Sequence, residues 1–331
     1  MTSSVINDAD DFVREALEGL VATHGDLLAL HDEPLFVTRR NPSTGAVALV
    51  SGGGSGHEPL HTGFVGDGML DAAVPGAVFS SPTSLQVKAA VESVDTGRGV
   101  VLVVKNYTGD VLNFSIAAEV LADRHDVEVV VVDDDLATES AADGGPGRRG
   151  TAATVVVEKV CGAAARRGDD LAAVAGLGRR VVERSASLGV AYRACTNPLT
   201  GALSFDLAPG EIEVGVGIHG ERGRSTQQAG TADEVVGDLV GRLVEHLDLG
   251  TGARVLLLVN GLGATHPLEL SVAARAARAV LRDRGVVVER SLVGPYVTAL
   301  DMHGLSVTLT RLDDELLELW DAPVSTAAVT W

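Results

Sequence analysis

Aromatic side chains are scarce in this chain, with Phe, Tyr and Trp together making up 3% of its 331 residues. Any sizeable core must therefore be built from Val, Leu and Ala, and a hydrophobic content of 46% supplies enough of them. Lysine is nearly absent: Lys88, Lys105 and Lys159 stand against 23 arginines. No basic stretch is longer than Arg-Arg and the formal charge is −19, which argues against nucleic acid as a partner, because phosphate binding takes clustered Lys and Arg. An acidic, lysine-poor surface suits concentrated salt, where screening weakens self-repulsion, and a salt-rich cytoplasm is the expectation. Cysteine is limited to Cys161 and Cys195, in neither a CxxC pair nor a metal-ligand spacing. They read as small buried hydrophobes in a reducing compartment. No apolar run approaches membrane-spanning length, and Asp8, Asp10 and Asp11 are foreign to a signal peptide. A soluble, cytoplasmic protein with no membrane partner is expected.

The length favours two domains. Val13, Ala16, Leu17, Leu20 and Val21 recur at helical spacing and predict an opening helix over 7–24, with Asn7 or Asp8 as cap. Strand-like and helix-like segments then alternate. Val47–Val50 reads as a strand entering a glycine loop, Pro82–Val94 as a helix, and Val100–Val104 as a buried strand. A helix over Val111–Arg124, a strand over Val127–Val132, and helices over Thr151–Arg167 and Asp169–Ala186 follow. This alternation predicts α/β architecture with a mostly parallel or mixed central sheet flanked by helices. The second unit is expected to begin near Ser187, giving domains of 1–186 and 187–331. Its predicted strands are Glu211–Ile218, Arg254–Val259, Val286–Val293 and Leu305–Thr310, with helices over Asp233–Leu247, Pro267–Arg284 and Asp313–Trp320. Pro267 suits the first turn of its helix.

Three segments carry residues suited to chemistry. Ser51-Gly-Gly-Gly-Ser-Gly-His-Glu-Pro59 follows a strand, and its glycines let backbone N–H groups approach a small polar ligand. It lacks the Gly-Lys-Ser/Thr of a phosphate-binding loop, and His57 stands where a dinucleotide fingerprint needs its last glycine, so no nucleotide site is read here. Lys105-Asn-Tyr-Thr-Gly-Asp110 follows the Val100–Val104 strand, and ligands of α/β sheets gather at such strand ends. Lys105 can donate to a ligand oxygen, and Asp110 can accept a hydroxyl proton. Gly215-Val-Gly-Ile-His-Gly-Glu221 places His219 among small residues at a strand end, where a neutral imidazole is a nucleophile. Each segment taken alone has a plainer explanation: a tight turn, a helix cap at Asp110, a locally bonded histidine.

The remaining histidines read as surface or turn residues. His266 falls at a helix start, and nothing in the sequence pairs His61 or His303. Asp133-Asp134-Asp135 reads as a solvated strand end, not a metal site, since no second carboxylate cluster accompanies it. Arg148 with Arg149, and Arg179 with Arg180, are candidate donors toward phosphates or a partner, though a solvated helix face explains each pair as well.

Together the SGGGSGHEP, VKNYTGD and GVGIHGE segments, with the LWDAP sequence ending near Ala322, resemble the dihydroxyacetone kinase family, specifically its ketone-binding K subunit. The likeness runs from about Ile6 to Trp331. It implies two α/β domains and a homodimer. It also implies that His219 captures dihydroxyacetone as a hemiaminal through Nε2, that His57 is the acid/base for that addition, and that Asp110 deprotonates the attacking hydroxyl. Gly54, Ser55, Gly56 and Lys105 match the shell around the substrate oxygens. Family members using ATP directly carry a further all-helical nucleotide domain. Its absence before Trp331 leads to the expectation of no cofactor on this chain, with ADP or ATP and Mg on a separate nucleotide-binding L-type subunit. The resemblance further implies that this subunit is recharged by a phosphoenolpyruvate-dependent phosphotransferase M-type subunit. The segment between Gly223 and Thr231 is short, and the region after Leu247 lacks an insertion found in some relatives; both affect interface details more than chemistry. Two rivals remain at this level: a ketone-binding coactivator of a transcription regulator, and a kinase subunit for another short ketose.

Overall fold

The computed structural model describes residues 5–138, 147–198 and 200–331. The chain divides into two compact units, and the division is not a single cut. Among the described residues, one unit holds 5–132, 154–180 and 316–331, and the other holds 133–138, 147–153, 181–198 and 200–315.

In the first of these, helix α1 (Phe12–Thr23) starts five residues into the chain segment expected to be helical. The side chain of Asn7 is held by Glu15 at 3.0 Å, and Asp11 occupies the cap position. A hairpin of β1 (Leu28–Asp32) and β2 (Leu35–Arg39) follows. Then come β3 (Ala48–Ser55), the two-residue β4 (Gly66–Asp67), β5 (Ala72–Val78), α2 (Ser84–Val94), β6 (Val100–Lys105), α3 (Thr108–Leu121) and β7 (Val127–Val132). The six-stranded sheet has the order β1-β2-β5-β3-β6-β7. Its β5-β3-β6-β7 part is parallel, and the hairpin is added antiparallel at one edge. Val50, Leu102 and Val104 pack with Val87 and Val91 of α2 and Phe114 of α3. Each such fully buried aliphatic contributes about 1.5–3 kcal/mol, so near-continuous Val runs fix the central strands with few aromatics, Phe36 and Phe114 among them. Thr83 and Gln86 close a reciprocal cap at the start of α2.

Helices α4 (Ala153–Arg167) and α5 (Leu171–Glu183) follow. The second unit's strands are β8 (Ser185–Arg193), β9 (Glu211–Val214), β10 (Ser225–Gln228), β11 (Arg254–Gly261), β12 (Val287–Gly294) and β13 (His303–Arg311). Its helices are α6 (Ala232–His246) and α7 (Pro267–Asp283). The sheet order is β10-β9-β8-β13-β11-β12, antiparallel except for the β11–β12 pair. Leu257, Val259, Val307 and Leu309 bury against Leu239 and Leu243 of α6 and Ala273 and Ala277 of α7. Pro267 occupies the first turn of α7, and His266 caps it with Glu269. The chain ends with α8 (Asp314–Asp321) and the short β14 (Ser325–Thr326), which pairs with β4.

Three readings of the sequence change. The glycine run Gly52–Gly54 is no loop: β3 continues through it to Ser55. The predicted strand Glu211–Ile218 ends at Val214, because Gly215 turns the backbone at φ +84°. The segment Asp133–Asp135 is not solvated at its end, since Asp134 and Asp135 are buried. Asp134 accepts from Thr151 N at 2.6 Å, Thr151 Oγ1 at 2.7 Å, Ala153 N at 3.0 Å and the hydroxyl of Ser187. Four donors on one carboxylate offset the cost of burying it.

Candidate functional site

The first unit brings two of the three segments together at the C-terminal ends of the parallel strands β3 and β6. Lys105 is the last residue of β6 and is wholly buried. Asp110 lies in the first turn of α3, not at its cap, and is also buried. Lys105 Nζ stands 3.5 Å from Asp110 Oδ2 and donates to Gly52 O at 3.3 Å. A Cβ on Gly53 would come within 2.2 Å of that nitrogen and 3.2 Å of Asp110 Oδ2. The glycine run therefore has two jobs that alternate along the strand. Gly53 makes room for the ammonium group. Gly52 and Gly54 make room for backbone, since a Cβ there would meet Val74 O at 2.3 Å or Ser80 N at 2.6 Å.

Beyond the glycines, Ser55 Oγ donates to Gly76 O at 2.7 Å. Gly56 takes φ +103°, and its N–H donates to Glu58 Oε2 at 2.9 Å. His57 is wholly buried and stacks on Phe79, with ring centroids 5.3 Å apart. Of the sequence-predicted site residues, Gly54, Ser55, Gly56, His57, Lys105 and Asp110 belong to this unit, and His219 belongs to the other.

Sequence reading leaves His61 without a partner, and the structure gives it three. Its Nε2 faces Lys105 Nζ at 2.8 Å, and its Nδ1 faces Glu158 Oε1 at 2.6 Å and Ser51 Oγ at 2.9 Å. Glu158 comes from α4, 97 residues further along. Burial, then the charges of Lys105 and His57, hold the His61 imidazole well below its usual range, so the ring is neutral. His303 is also paired, with Glu269 at 3.0 Å.

In the second unit His219 follows the Gly215 turn and is largely buried. Its backbone N–H donates to Glu221 Oε2 at 2.8 Å, while Nδ1 lies 3.7 Å from Glu221 Oε1. The carboxylate thus sits on the Nδ1 side of the ring and turns Nε2 away from it. Glu221 is held in turn. A Cβ on Gly217 would meet Glu221 Oε2 at 2.2 Å and Arg149 Nη1 at 2.6 Å. Burial pushes the Glu221 carboxyl up, but the hydrogen bond and charge of His219, followed by the charge of Arg149, outweigh it and bring it to about 2. Arg149 donates to Asp135 Oδ2 through Nε at 2.7 Å and to Gly215 O through Nη2 at 2.9 Å. An anionic carboxylate beside Nδ1 favours the Nδ1–H tautomer, which leaves the Nε2 lone pair for attack on an electrophile.

The arginine pairs expected to face phosphates or a partner are engaged locally in part: Arg149 as above, Arg148 with His246 at 3.0 Å, and Arg179 with Glu128. Among the described residues, no group of three or more His, Cys, Asp or Glu is arranged to hold a metal ion, and no helix is long and apolar enough to cross a membrane.

Fold and site together define an α/β protein with a buried lysine–aspartate pair at the strand ends of one unit and a carboxylate-backed histidine in the other. Residues 18–328 match the Dak1 domain, and the chain belongs to that family. It is 44% identical over 353 aligned positions to the PEP-dependent dihydroxyacetone kinase, dihydroxyacetone-binding subunit DhaK, of Escherichia coli, covering 99% of both chains. Among solved structures it is similar to the dihydroxyacetone kinase of C. freundii, at a TM-score of 0.92 and 34% identity. That match covers the whole of this chain and 60% of the C. freundii chain. It is also similar to the dihydroxyacetone kinase operon co-activator Dha-DhaQ, at a TM-score of 0.90 and 32% identity over 97% of this chain and 98% of that one.

Proposed function

We propose that this chain is the substrate-binding subunit of a dihydroxyacetone kinase, which captures the ketone covalently and presents its hydroxyl to a nucleotide-bearing partner subunit. The observation that carries the reading is the Lys105–Asp110 pair buried against Gly53. A carboxylate kept beside an ammonium group, in space cleared by a glycine, suits a small polyhydroxylated ligand: Lys105 donates to an oxygen and Asp110 takes a hydroxyl proton.

Dihydroxyacetone is too small to be held tightly by contact area or told from glycerol by shape. A covalent bond removes both difficulties. His219 Nε2 adds to the carbonyl carbon, the carbonyl π bond breaks, and the oxygen takes a proton from His57. The positive charge left on the Nδ1-protonated ring is balanced by Glu221. Glycerol has no carbonyl and is not captured. The captured ketone has its terminal hydroxyl fixed, and fixing the nucleophile supplies much of the rate in phosphoryl transfer. Asp110 accepts the proton of that hydroxyl. Nucleotide and Mg belong to the L-type partner and supply the phosphoryl group and its charge neutralisation. The E. coli relative's description as PEP-dependent supports recharging by a phosphotransferase M-type subunit. A homodimer, cytoplasmic location and salt-rich surroundings complete the reading.

The second reading, a ketone-binding coactivator, is favoured by the likeness to Dha-DhaQ. The two differ in turnover. Purified chain, dihydroxyacetone and a nucleotide-loaded L-type subunit should yield dihydroxyacetone phosphate, and Asp110→Asn should slow its formation sharply while the ketone still binds. Ketone binding without product from the wild-type chain would favour the coactivator.

A further inference from the structure

The described mechanism uses Lys105 but leaves the buried polar groups behind it, Ser51, His61 and Glu158, without a role. Ser51, His61, Lys105 and Glu158 lie on four different segments, and each is between 0% and 4% exposed. Burying a lysine, a histidine and a glutamate in one place is costly unless geometry and hydrogen bonds offset it. A well-packed apolar set of the same volume would give equal or greater stability, so the array calls for a purpose beyond holding the fold.

The distances assign the hydrogen bonds. Lys105 has only donors, so it donates to His61 Nε2 at 2.8 Å, and that nitrogen carries no proton. The ring proton is therefore on Nδ1. Ser51 Oγ gives its own proton to Val103 O at 2.7 Å and can only accept from the ring. Nδ1–H is then shared between Ser51 Oγ and Glu158 Oε1, at 2.9 Å and 2.6 Å. A continuous line results, from the Glu158 carboxyl through the neutral His61 ring to the Lys105 ammonium and on to Asp110. It has the logic by which a carboxylate fixes the tautomer and aim of a histidine in metal and hydrolase sites. The groups facing His61 from every packed element agree with this. Lys105 from β6 and His57 disfavour a second ring proton. Burial raises the Glu158 carboxyl to about 8 in spite of the Ser51 hydrogen bond and the Lys105 charge, so near neutral pH it is mostly protonated and its Oε1 accepts from Nδ1–H as a carbonyl oxygen. Cys161, one turn along α4 from Glu158, is a neutral thiol, pushed up to about 12 by burial and by Glu158.

We propose that His61 and Glu158 are positioning residues that hold the Lys105 ammonium against Gly53 and beside Asp110, where it meets the oxygens of the ligand. Lys105 has four rotatable bonds, and the gap at Gly53 would otherwise let its head group wander. The line from Glu158 confines it. This inference rests on the ketone-binding reading for its ligand, but its geometry does not.

Two measurements test it. The first is the tautomer of His61 in the full chain, read from ring ¹⁵N–¹H correlations with dihydroxyacetone absent. Protonated Nδ1 and bare Nε2 are expected across neutral pH. Protonated Nε2 would overturn the proposal whatever the ligand. The second is dihydroxyacetone affinity by calorimetry for His61→Leu and His61→Gln, each checked for folding by its melting curve. The Leu variant should bind about 10- to 100-fold more weakly, the scale on which outer-shell partners act. The Gln variant, whose amide oxygen can accept from Lys105 while its NH₂ donates to Glu158, should recover most of that loss. Equal affinity for folded His61→Leu and wild type, or equal loss in both variants, would contradict positioning. Failure of the wild-type chain to bind dihydroxyacetone would instead sink the ketone-binding reading. Should the Leu variant fail to fold, the tautomer decides.

Discussion

Lys105 Nζ and Asp110 Oδ2 lie 3.5 Å apart with side chains 0% and 3% exposed, and the space beside them exists because residue 53 has no side chain. Gly53→Ala would place a methyl 2.2 Å from the lysine nitrogen. The lysine head would shift, which costs the fold about 1–3 kcal/mol, the range for overpacking. The functional loss should be about 100-fold in turnover, as for a small misplacement near the reacting group. Thermal unfolding and steady-state kinetics of the same preparation check both figures.

Asp110→Asn keeps the shape of the site and removes its base. Ketone affinity should stay within a few-fold of wild type, while kcat for dihydroxyacetone phosphorylation falls by about 100- to 10,000-fold, the usual range for general-base removal. Equal losses in affinity and kcat would assign Asp110 to binding instead.

Stability should respond to pH in two opposite steps within the second unit. Burial raises the Asp135 carboxyl to about 6 despite Arg149, so the folded chain holds a proton that the unfolded chain releases at about 4. Stability from this group is therefore full below about pH 4 and declines as pH rises to about 6, by roughly 3 kcal/mol at 1.36 kcal/mol per unit. Glu221 acts the other way. With its folded value near 2, it contributes above about pH 4.5 and loses that contribution as pH falls toward 2. Partial exposure of Glu221 reduces the size of its step. Denaturant unfolding from pH 3 to 7 should show the decline between about 4 and 6, and Asp135→Asn should remove it, though Arg149 then loses its partner and overall stability falls.

The formal charge of −19 with only three lysines predicts that added KCl raises the melting temperature well beyond the Debye-screening range of about 0.1 M. A melting temperature unchanged between low and molar salt would remove the case for a salt-rich cytoplasm.

Much of this was legible before the structure. The Val runs mark the parallel strands because such strands are buried on both faces, and Thr83, Thr231 and His266 each start a helix with a Gln or Glu three residues on. Lys105 stood out as one of three lysines, placed just past a strand. What stayed hidden depended on distant partners. Ser185 and Ala186 read as the end of the Asp169–Ala186 helix, but they begin strand β8, which pairs along β13 with the hydroxyls of Ser187 and Ser185 against Thr308 and Thr310. The same holds for His61 and Glu158, 97 residues apart, and for Asp134, whose donors lie 17 to 53 residues away. No local periodicity reports such pairs.

The most direct test of covalent capture is a crystal of the chain soaked in dihydroxyacetone, read beside the intact mass of the protein. Unbroken density from Nε2 of His219 to the central carbon, with a terminal hydroxyl in hydrogen-bond reach of Asp110, and a mass increase of one ketone that His219→Ala abolishes, is the predicted result. Ketone lying unattached, or joined to any residue other than His219, would contradict it.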